Sequence, residues 1–290
     1  MIVESLLTHP DKVFWPEEGY TKLDLARFYE SVFPKLQPYV QDRLLSLERC
    51  PDGMRGECFY QKEEPKGMPA GTPTKLIHHQ DHAVHYVVGG LIDTQVALVN
   101  LGCIAVHVWG SRAGHPHQPD WVVFDIDPGS GEFADAAKAG LLVKDALEAL
   151  DLVSFPKTSG GRGMHVFLPI QVGPDFAEAL SFAEEFGKRL AAAHPDTLTV
   201  EQRLSARGNR VYLDPFRNAF GATVAAPYSV RREKAPVSMP LRWQDVKPSL
   251  DPSHLNLGNF EKHLAGSDPW QDFFKARQSL GKAVKALHRI

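Results

Sequence analysis

The sequence predicts a mixed α/β or α+β fold, and it argues against a doubly wound parallel sheet. The chain has 290 residues, 43% of them hydrophobic and 23% charged, a globular composition with enough apolar material for a sizeable core. Helical and strand patterns alternate irregularly along it, and several strand patterns flank short turns, as in hairpins. Its polar clusters fall at strand ends, where functional groups are commonly mounted.

The first helix is predicted over residues 21–40. Thr21 and Asp24 have the spacing of a capping box. Pro34 and Pro38 are expected to end the helix, since proline lacks the backbone N–H that a helix interior needs. Apolar and β-branched patterns predict strands in the rest of this half of the chain, over 42–64 around a turn at 51–53, 84–88 and 96–108.

The second half alternates short apolar runs with longer helical patterns. Strands are predicted over 121–126, 152–156, 164–170 and 210–214. Helices are predicted over 132–151, over 174–194 and, as a basic amphipathic segment, from about Trp270. The basic segment is expected to present a solvated face.

Charge and cysteine content narrow the class of protein. The net charge is −3 and the sequence pI about 6.5, so a nucleic-acid contact would need a local basic groove. Cys50, Cys58 and Cys103 are odd in number and widely spaced, which predicts no disulfide framework and no zinc site. With no signal peptide and no membrane span, a cytoplasmic protein without a membrane partner is expected.

Two carboxylates follow one short apolar strand. Asp125 and Asp127 stand at positions i and i+2, so their side chains point to the same face. Two neighbouring carboxylates repel each other unless a cation neutralises them, and oxygen ligands suit Mg²⁺ or Mn²⁺. Asp214, which also ends an apolar strand before a proline, is the natural third ligand.

The acids alone leave alternatives open. Asp-Ile-Asp-Pro-Gly at 125–129 is also a good turn sequence, because Asp, Pro and Gly favour turns. Two metals held by carboxylates stabilise an in-line displacement in polymerases, nucleases and phosphatases alike. The reaction must therefore be inferred from other residues.

A glycine-rich segment at 158–165 has the composition of a phosphate-binding loop. Its glycines allow backbone amides to approach phosphate oxygens, Ser159 adds a hydroxyl donor, and Arg162 adds a positive charge. His165 follows on the next strand. The segment lacks the Gly-Lys-Ser/Thr of a Walker A loop, and a flexible hairpin turn is the alternative interpretation.

The order of these motifs resembles the archaeo-eukaryotic primase superfamily, and within it the polymerase domain of bacterial ligase D. The resemblance runs from Thr8-His-Pro-Asp-Lys12 through Tyr228-Ser-Val-Arg231 to Pro240-Leu-Arg-Trp243. It implies an α+β fold, a primase-like catalytic core of mostly antiparallel β-sheets flanked by helices. It also implies a single domain over 1–290, with 5′-phosphate and template contacts in 1–120, catalytic motifs in 121–245 and a helical segment in 246–290.

The resemblance assigns a role to each matching residue. The metal ligands and catalytic acids are Asp125, Asp127 and Asp214. The nucleotide-binding residues are Ser159, Arg162, His165, Arg231, His107, Arg217, Arg49 and Lys62. The residues for the DNA 5′-phosphate and the template are Lys12, Lys22, Phe59 and Tyr60.

Each of these assignments has a purely structural alternative. Without the resemblance, solvated surface lysines would be the favoured interpretation of Lys12 and Lys22. Phe59 and Tyr60 could be core aromatics, although adjacent strand residues face opposite ways, so at most one is expected to be buried. His107 could be a core histidine, since a lone His on an apolar strand is usually a buried structural residue. The histidines at 78, 79, 82 and 85 lack the spacing of a known metal site, so no metal is expected there.

The expected function is template-directed nucleotidyl transfer in non-homologous end joining. The resemblance implies two Mn²⁺ or Mg²⁺ ions, nucleoside triphosphate substrates with a ribonucleotide preference, short gap filling and end extension. Gapped or broken DNA with a 5′-phosphate, Ku and a DNA ligase activity are the expected partners. A two-metal nuclease and a non-catalytic DNA-end recognition module are the alternatives. The chain has no Lys-x-Asp-Gly adenylation motif, so either a stand-alone polymerase or one domain of a larger polypeptide is expected.

Overall fold

The computed structural model describes residues 3–129, 131–264 and 266–290. The strands in these ranges are β1 (Val13–Trp15), β2 (Tyr20–Thr21), β3 (Leu45–Arg49), β4 (Phe59–Gln61), β5 (Thr74–His78), β6 (Ala83–Val87), β7 (Cys103–Trp109), β8 (Trp121–Asp127), β9 (Phe155–Thr158), β10 (Met164–Pro169), β11 (Leu198–Thr199), β12 (Val211–Asp214) and β13 (Thr223–Ala225). The α-helices are α1 (Lys22–Val40), α2 (Ile92–Asn100), α3 (Phe133–Ala149), α4 (Phe176–Ala193), α5 (Leu204–Arg207), α6 (Phe260–Leu264) and α7 (Leu280–Ala286).

Helices and mainly antiparallel sheets confirm the predicted α+β class. Internal contacts divide the chain into two compact units. The first unit comprises Met1–Gly114, Thr223–Ser238 and Ser253–Ala265. The second unit comprises His115–Ala222, Met239–Pro252 and Gly266–Ile290.

The second unit is built on a five-stranded sheet in the order β11-β12-β8-β10-β9. Only the β11–β12 pair is parallel. Helix α4 packs against one face of the sheet, where Phe124 contacts Phe186 with ring centroids 4.6 Å apart. Because side chains alternate along β8, Asp125 and Asp127 lie on the opposite face. Trp270 and Phe273 cover Phe167 on that opposite face, next to the row of Asp125 and His165.

The first unit holds a four-stranded sheet in the order β13-β7-β3-β4 and two hairpins, β1–β2 and β5–β6. Strand β7 is buried along its whole length, which matches its continuous apolar sequence. Strand β4 lies at one edge of the sheet and its side chains are largely exposed. The predicted turn at 51–53 lies between β3 and β4.

Helix α1 begins as predicted and runs to the end of the predicted range. Thr21 and Asp24 form the complete capping box. The expectation that Pro34 and Pro38 end the helix is wrong, since the helix continues through both to Val40. The last turns bury Leu36, Tyr39 and Val40, and this packing outweighs the two missing backbone hydrogen bonds.

Two other predicted elements need correction. The strand predicted over 96–108 is wrong in its first part, because residues 96–100 belong to α2 and the strand is Cys103–Trp109. In this helix Val96 and Val99 are both buried, and a short apolar run has the same composition in a buried helix as in a strand. The closing helix starts at Leu280 rather than near Trp270, whose indole is buried and donates to the carbonyl of Pro156.

The prediction of no disulfide is also wrong. Cys50 and Cys58 are bonded, with Cα atoms 4.3 Å apart. Arg49 pairs with Phe59 at the end of the β3–β4 hairpin, so the next residue inward on each side is a cysteine. The hairpin brings together residues that are eight apart in sequence. Cys103 is buried and free.

No helix within the described ranges combines the length and the apolar composition required to span a membrane.

Candidate active site

Four neighbouring strands of the five-stranded sheet place charged side chains in one row. Asp125 on β8 is directly opposite Asp214 on β12 and directly opposite His165 on β10. His165 is in turn opposite Lys157 on β9. Directly opposed residues in antiparallel strands project to the same face with Cβ atoms about 4.5–5.5 Å apart. The register thus brings two carboxylates, an imidazole and a buried ammonium side by side.

Asp127 begins a second row two residues along β8. It is directly opposite Tyr212, which shares a face with Asp214. On the other side lies Gly163, where a Cβ atom would stand 2.6 Å from the carbonyl oxygen of Ile126. Only glycine fits there without displacing the backbone, so the hairpin between β9 and β10 lies close against the acid-bearing strand.

Two arginines bind the acids. The Nε atom of Arg217 lies 3.0 Å from Asp125 and 3.8 Å from Asp214. Arg207 donates from Nη1 to Asp127 at 2.9 Å, and its guanidinium also lies 4.0 Å from the Tyr212 ring centroid. Each carboxylate therefore has a cation within 4 Å, as expected where three acids share a half-buried face.

Burial and charge set the protonation of the row. Burial raises the pKa of Asp125, but His165 and the Arg217 guanidinium outweigh it and hold that pKa well below its usual range. Burial and the Lys157 ammonium lower the pKa of His165 to about 4, so its imidazole is neutral at pH 7. Burial and the charge of Asp125 raise the pKa of Asp214, against the opposing hydrogen bond from the Phe216 amide.

The donor set fits a divalent cation. The three acids supply hard oxygen ligands from one sheet face, and Arg217 shows that this face holds a positive charge between Asp125 and Asp214. As the side chains stand in the described ranges, no three His, Cys, Asp or Glu groups converge on one point, and the carboxylates are paired with arginines. A cavity of about 400 Å³ opens over the acids, and Ser159 and Gly163 also line it.

The glycine loop adopts a tight hairpin. The Ser159 amide donates to the Gly163 carbonyl at 3.0 Å, and the Ser159 hydroxyl accepts from the Gly161 amide at 3.2 Å. Gly160 has a φ of 83°, a conformation that favours glycine. Arg162 is exposed at the tip of the hairpin. The structure thus brings Ser159 beside the acids and leaves the Arg162 side chain in solvent.

The first unit gathers another group of predicted nucleotide-binding residues. On its four-stranded sheet, His107 and Tyr60 contact edge to face with ring centroids 5.4 Å apart. Arg231 lies 2.6 Å from Nε2 of His107. A buried acid that the sequence analysis missed, Glu48, is directly opposite Tyr60.

Arg49, Phe59 and Lys62 lie around the edge strand of the same sheet. The guanidinium of Arg49 donates to the carbonyl of Leu101 and to Gln61, and stands 5.5 Å from the Phe59 ring centroid. Lys62 is exposed. Phe59 and Tyr60 are 41% and 58% exposed, so the core alternative is excluded for both rings.

Lys12 and Lys22 line one cavity of about 500 Å³ with His9 and Asp11. The Nζ atom of Lys12 contacts Asp52 at 2.8 Å. Lys22 is largely buried and donates to the Thr8 carbonyl at 2.7 Å and to the Asn100 carbonyl at 3.1 Å. Burial and the neighbouring Lys12 lower the pKa of Lys22. The two lysines therefore lie close together, and their role at a 5′-phosphate stays a prediction.

Four site residues escaped the sequence analysis. Tyr212 had a usable signal, because it stands two residues before Asp214 on the same strand and must share its face. Lys157 and Glu48 reach their sites through strand register, which one strand's sequence does not reveal. Arg207 belongs to a four-residue helix without a recognisable motif.

Three carboxylates on one face of a mainly antiparallel sheet, beside a glycine hairpin, are an arrangement that fits metal-dependent phosphoryl transfer. The family model of the LigD primase-polymerase domain matches residues 21–270. The chain belongs to this family and is a nucleotidyltransferase of the primase-polymerase class.

Its relatives share the likeness over most of the chain. The multifunctional non-homologous end joining protein LigD of Pseudomonas aeruginosa is 30% identical over 96% of this chain and 34% of its own length. The bifunctional LigD of Bacillus subtilis is 27% identical over 93% of this chain and 44% of its own length. The chain thus spans well under half the length of these relatives.

A solved structure agrees with the fold. The polymerase domain of Mycobacterium tuberculosis ligase D, in complex with DNA, superposes with a TM-score of 0.87 at 27% identity. The match covers 93% of this chain and 97% of that domain. Essentially the whole of that domain therefore has a counterpart here.

Proposed function

We propose that this chain is a template-directed polymerase that fills short gaps and extends DNA ends during non-homologous end joining. The observation that carries the proposal is the register of Asp125 against Asp214, with Asp127 on the same face and the glycine hairpin beside them. The names of the relatives, which are end-joining proteins, support the repair context. We propose that the chain works as one domain over 1–290.

In the proposed mechanism the acids hold the metals. Asp125, Asp127 and Asp214 would bind two Mn²⁺ or Mg²⁺ ions, which supply charge neutralisation at the reacting phosphate when bound. Arg217 and Arg207 must release the carboxylates as the ions enter. Neutral His165, 3.4 Å from Asp125, can donate a hydrogen bond from Nε2 and orient that carboxylate.

The remaining residues would bind the nucleoside triphosphate. Ser159 and the backbone amides of the hairpin suit phosphate oxygens, and Arg162 adds charge at its tip. We assign Arg231 to the triphosphate and His107 to the sugar, with Arg49, Lys62 and Arg217 as further cations. A preference for ribonucleotides and for Mn²⁺ is part of the proposal. The primer 3′-hydroxyl then attacks the α-phosphate and pyrophosphate leaves.

We assign DNA contacts to the first unit. Lys12 and Lys22 would bind the 5′-phosphate on the downstream side of a gap, in the cavity they share. Phe59 and Tyr60 would stack on template bases, an interaction worth about 1–3 kcal/mol per base. Ku and a DNA ligase activity are the proposed protein partners.

The direct experiment uses a gapped duplex with a 5′-phosphate, Mn²⁺ and ribonucleoside triphosphates. Wild type should extend the primer, and Asp125→Ala/Asp127→Ala should bind the DNA without extending it. Asp145→Ala, an exposed acid on α3, is the matched control and should extend normally. Strand cleavage in place of extension would make the chain a two-metal nuclease. DNA binding without either reaction would make it an end-recognition module.

A further inference from the structure

Glu48 is a buried carboxylate surrounded by cations. Its side chain is 3% exposed, and Arg232 lies 3.7 Å from Oε1. His107 and Arg231 lie 3.7 and 4.0 Å from Oε2. Within the described part of the chain, Oε2 has no hydrogen-bond partner at its present distances. The ion-pair partners of Glu48 at these distances are the two arginines, and the His107 imidazole lies beside them.

The charge of Glu48 is maintained by these neighbours. Burial raises the pKa of Glu48, but the neighbouring His107 and the charges of Arg231 and Arg232 outweigh it, so the pKa is lowered. A buried ionised group is costly unless it is paired. An acid retained at this place must therefore balance the two consecutive guanidiniums, which would otherwise repel each other.

The hydrogen bond between Arg231 and His107 has a defined direction. Nη1 of Arg231 lies 2.6 Å from Nε2 of His107. A guanidinium has no acceptor, so the arginine donates and Nε2 accepts, with the imidazole proton on Nδ1. Glu48 lies within 4 Å of both atoms of this bond. Its charge is thus placed to hold the Arg231 guanidinium against Nε2, and the donating guanidinium in turn sets the tautomer.

The backbone that carries Arg231 is held independently of Glu48. Tyr228 is fully buried with a φ of 67°, a strained conformation for a bulky residue. The Ser229 hydroxyl accepts from the Val106 amide at 2.9 Å, and the Val230 amide donates to the Tyr29 hydroxyl at 3.1 Å. The segment is tied to β7 and α1, so the freedom that Glu48 restricts belongs to the Arg231 side chain.

We infer that Glu48 is a positioning residue, which holds Arg231 and His107 in one arrangement for the incoming nucleotide. The inference rests on the proposed roles of Arg231 at the triphosphate and His107 at the sugar. Glutamine in place of Glu48 keeps the size of the side chain but leaves two arginines without their shared counter-charge. Arg231 then moves away from Arg232 and from His107, and both nucleotide contacts lose their geometry.

The test compares Glu48→Gln with Glu48→Asp, which keeps the charge on a shorter side chain. In gap filling, Glu48→Gln should lower kcat/KM by roughly 10- to 100-fold, the size expected when binding groups are displaced by about 1 Å. Glu48→Asp should recover part of that loss. Glu57→Gln, an exposed acid between the two cysteines, is the matched control and should behave as wild type.

Nitrogen NMR of the His107 imidazole gives a readout that needs neither metal nor turnover. Wild type should show a protonated Nδ1 and a hydrogen-bonded, unprotonated Nε2, and Glu48→Gln should show a changed Nε2 signal. Unchanged His107 signals in Glu48→Gln would overturn the inference, whatever the kinetics. The inference would also be overturned if Glu48→Gln and Glu48→Asp lost kcat/KM equally and in proportion to their melting temperatures. If wild type transfers no nucleotide, the proposed function fails, and the imidazole signals still decide whether Glu48 sets the Arg231–His107 bond.

Discussion

Asp125 and Asp214 are directly opposite each other on the neighbouring strands β8 and β12. Substituting each by asparagine should nevertheless have opposite effects on stability. The folded environment lowers the pKa of Asp125 and raises that of Asp214. Ionised Asp125 therefore stabilises the fold at pH 7, a contribution lost only as pH falls through its low folded pKa. Ionised Asp214 destabilises the fold above its folded pKa, and that cost disappears as pH falls through it.

The contacts of each acid set the size of the effect. Asp125→Asn weakens the bond to Arg217 at 3.0 Å, and because that arginine is 44% exposed, we expect a loss of about 1–2 kcal/mol, below the ~3–5 kcal/mol of a fully buried pair. At about 2–4 °C per kcal/mol, the melting temperature should fall by roughly 2–8 °C. Asp214→Asn removes the repulsion from Asp125, and its amide oxygen can still accept from the Phe216 amide. Its melting temperature should therefore rise.

Thermal denaturation of EDTA-treated protein measures both changes. At pH 7 the order of melting temperatures should be Asp214→Asn above wild type above Asp125→Asn. The advantage of Asp214→Asn should shrink as pH is lowered through the folded pKa of Asp214. Adding Mn²⁺ should raise the melting temperature of wild type more than that of either variant, since a ligand stabilises the state that binds it. Equal destabilisation by both substitutions would refute the assigned electrostatics.

Three further perturbations each test a single feature. Gly163→Ala places a Cβ 2.6 Å from the Ile126 carbonyl, so it should cost about 1–3 kcal/mol of stability and slow nucleotidyl transfer. Gly161→Ala, whose Cβ would be 3.7 Å from Ser159 Oγ, is the control and should be tolerated. If thermal denaturation and primer extension show no effect of Gly163→Ala, the close approach of the hairpin to β8 is contradicted. Reduction of the Cys50–Cys58 disulfide opens a loop across eight positions. It should lower the free energy of unfolding by about 2.5 kcal/mol and lower the melting temperature. The melting temperature of Cys50→Ser/Cys58→Ser should not change with reductant. Lys12→Ala should remove the preference for a 5′-phosphate over a 5′-hydroxyl in DNA-binding titrations. Lys12 is a better choice than Lys22 because the Lys22 ammonium also donates to Thr8 and Asn100, whereas Lys12 pairs with Asp52. An unchanged preference for the 5′-phosphate would reject the assignment of Lys12.

The parts of the molecule that follow from local rules could be predicted from the sequence. The shared face of Asp125 and Asp127 follows from strand periodicity, and the start of α1 follows from Thr21 and Asp24. The passage of α1 through Pro34 could not be predicted, because packing of its last turns decides it. The α2 sequence was ambiguous for a similar reason, since its apolar run suits either element.

Contacts between segments that are separate in the sequence could not be predicted either. Glu48 meets Arg231 although they are 183 positions apart, and no local pattern places an acid against that arginine. The Cys50–Cys58 bond follows from the hairpin register, which sets Arg49 against Phe59. Arg207 reaches Asp127 from a short helix 80 residues away. Each of these contacts depends on topology, which a single sequence specifies only weakly.

The first unit is formed from segments early and late in the sequence, and this affects how it folds during translation. Strand β7 pairs with β13, which emerges from the ribosome more than a hundred residues later, and Val237 then bonds Leu255. The unit that begins the chain therefore cannot finish folding until residues 253–265 have been made. During translation β7 presents an unpaired apolar edge for as long as β13 is missing, a state that favours chaperone binding or aggregation. A nascent chain stalled near residue 220 should accordingly be more sensitive to protease in β3 and β7 than one stalled beyond residue 290 on a C-terminal linker.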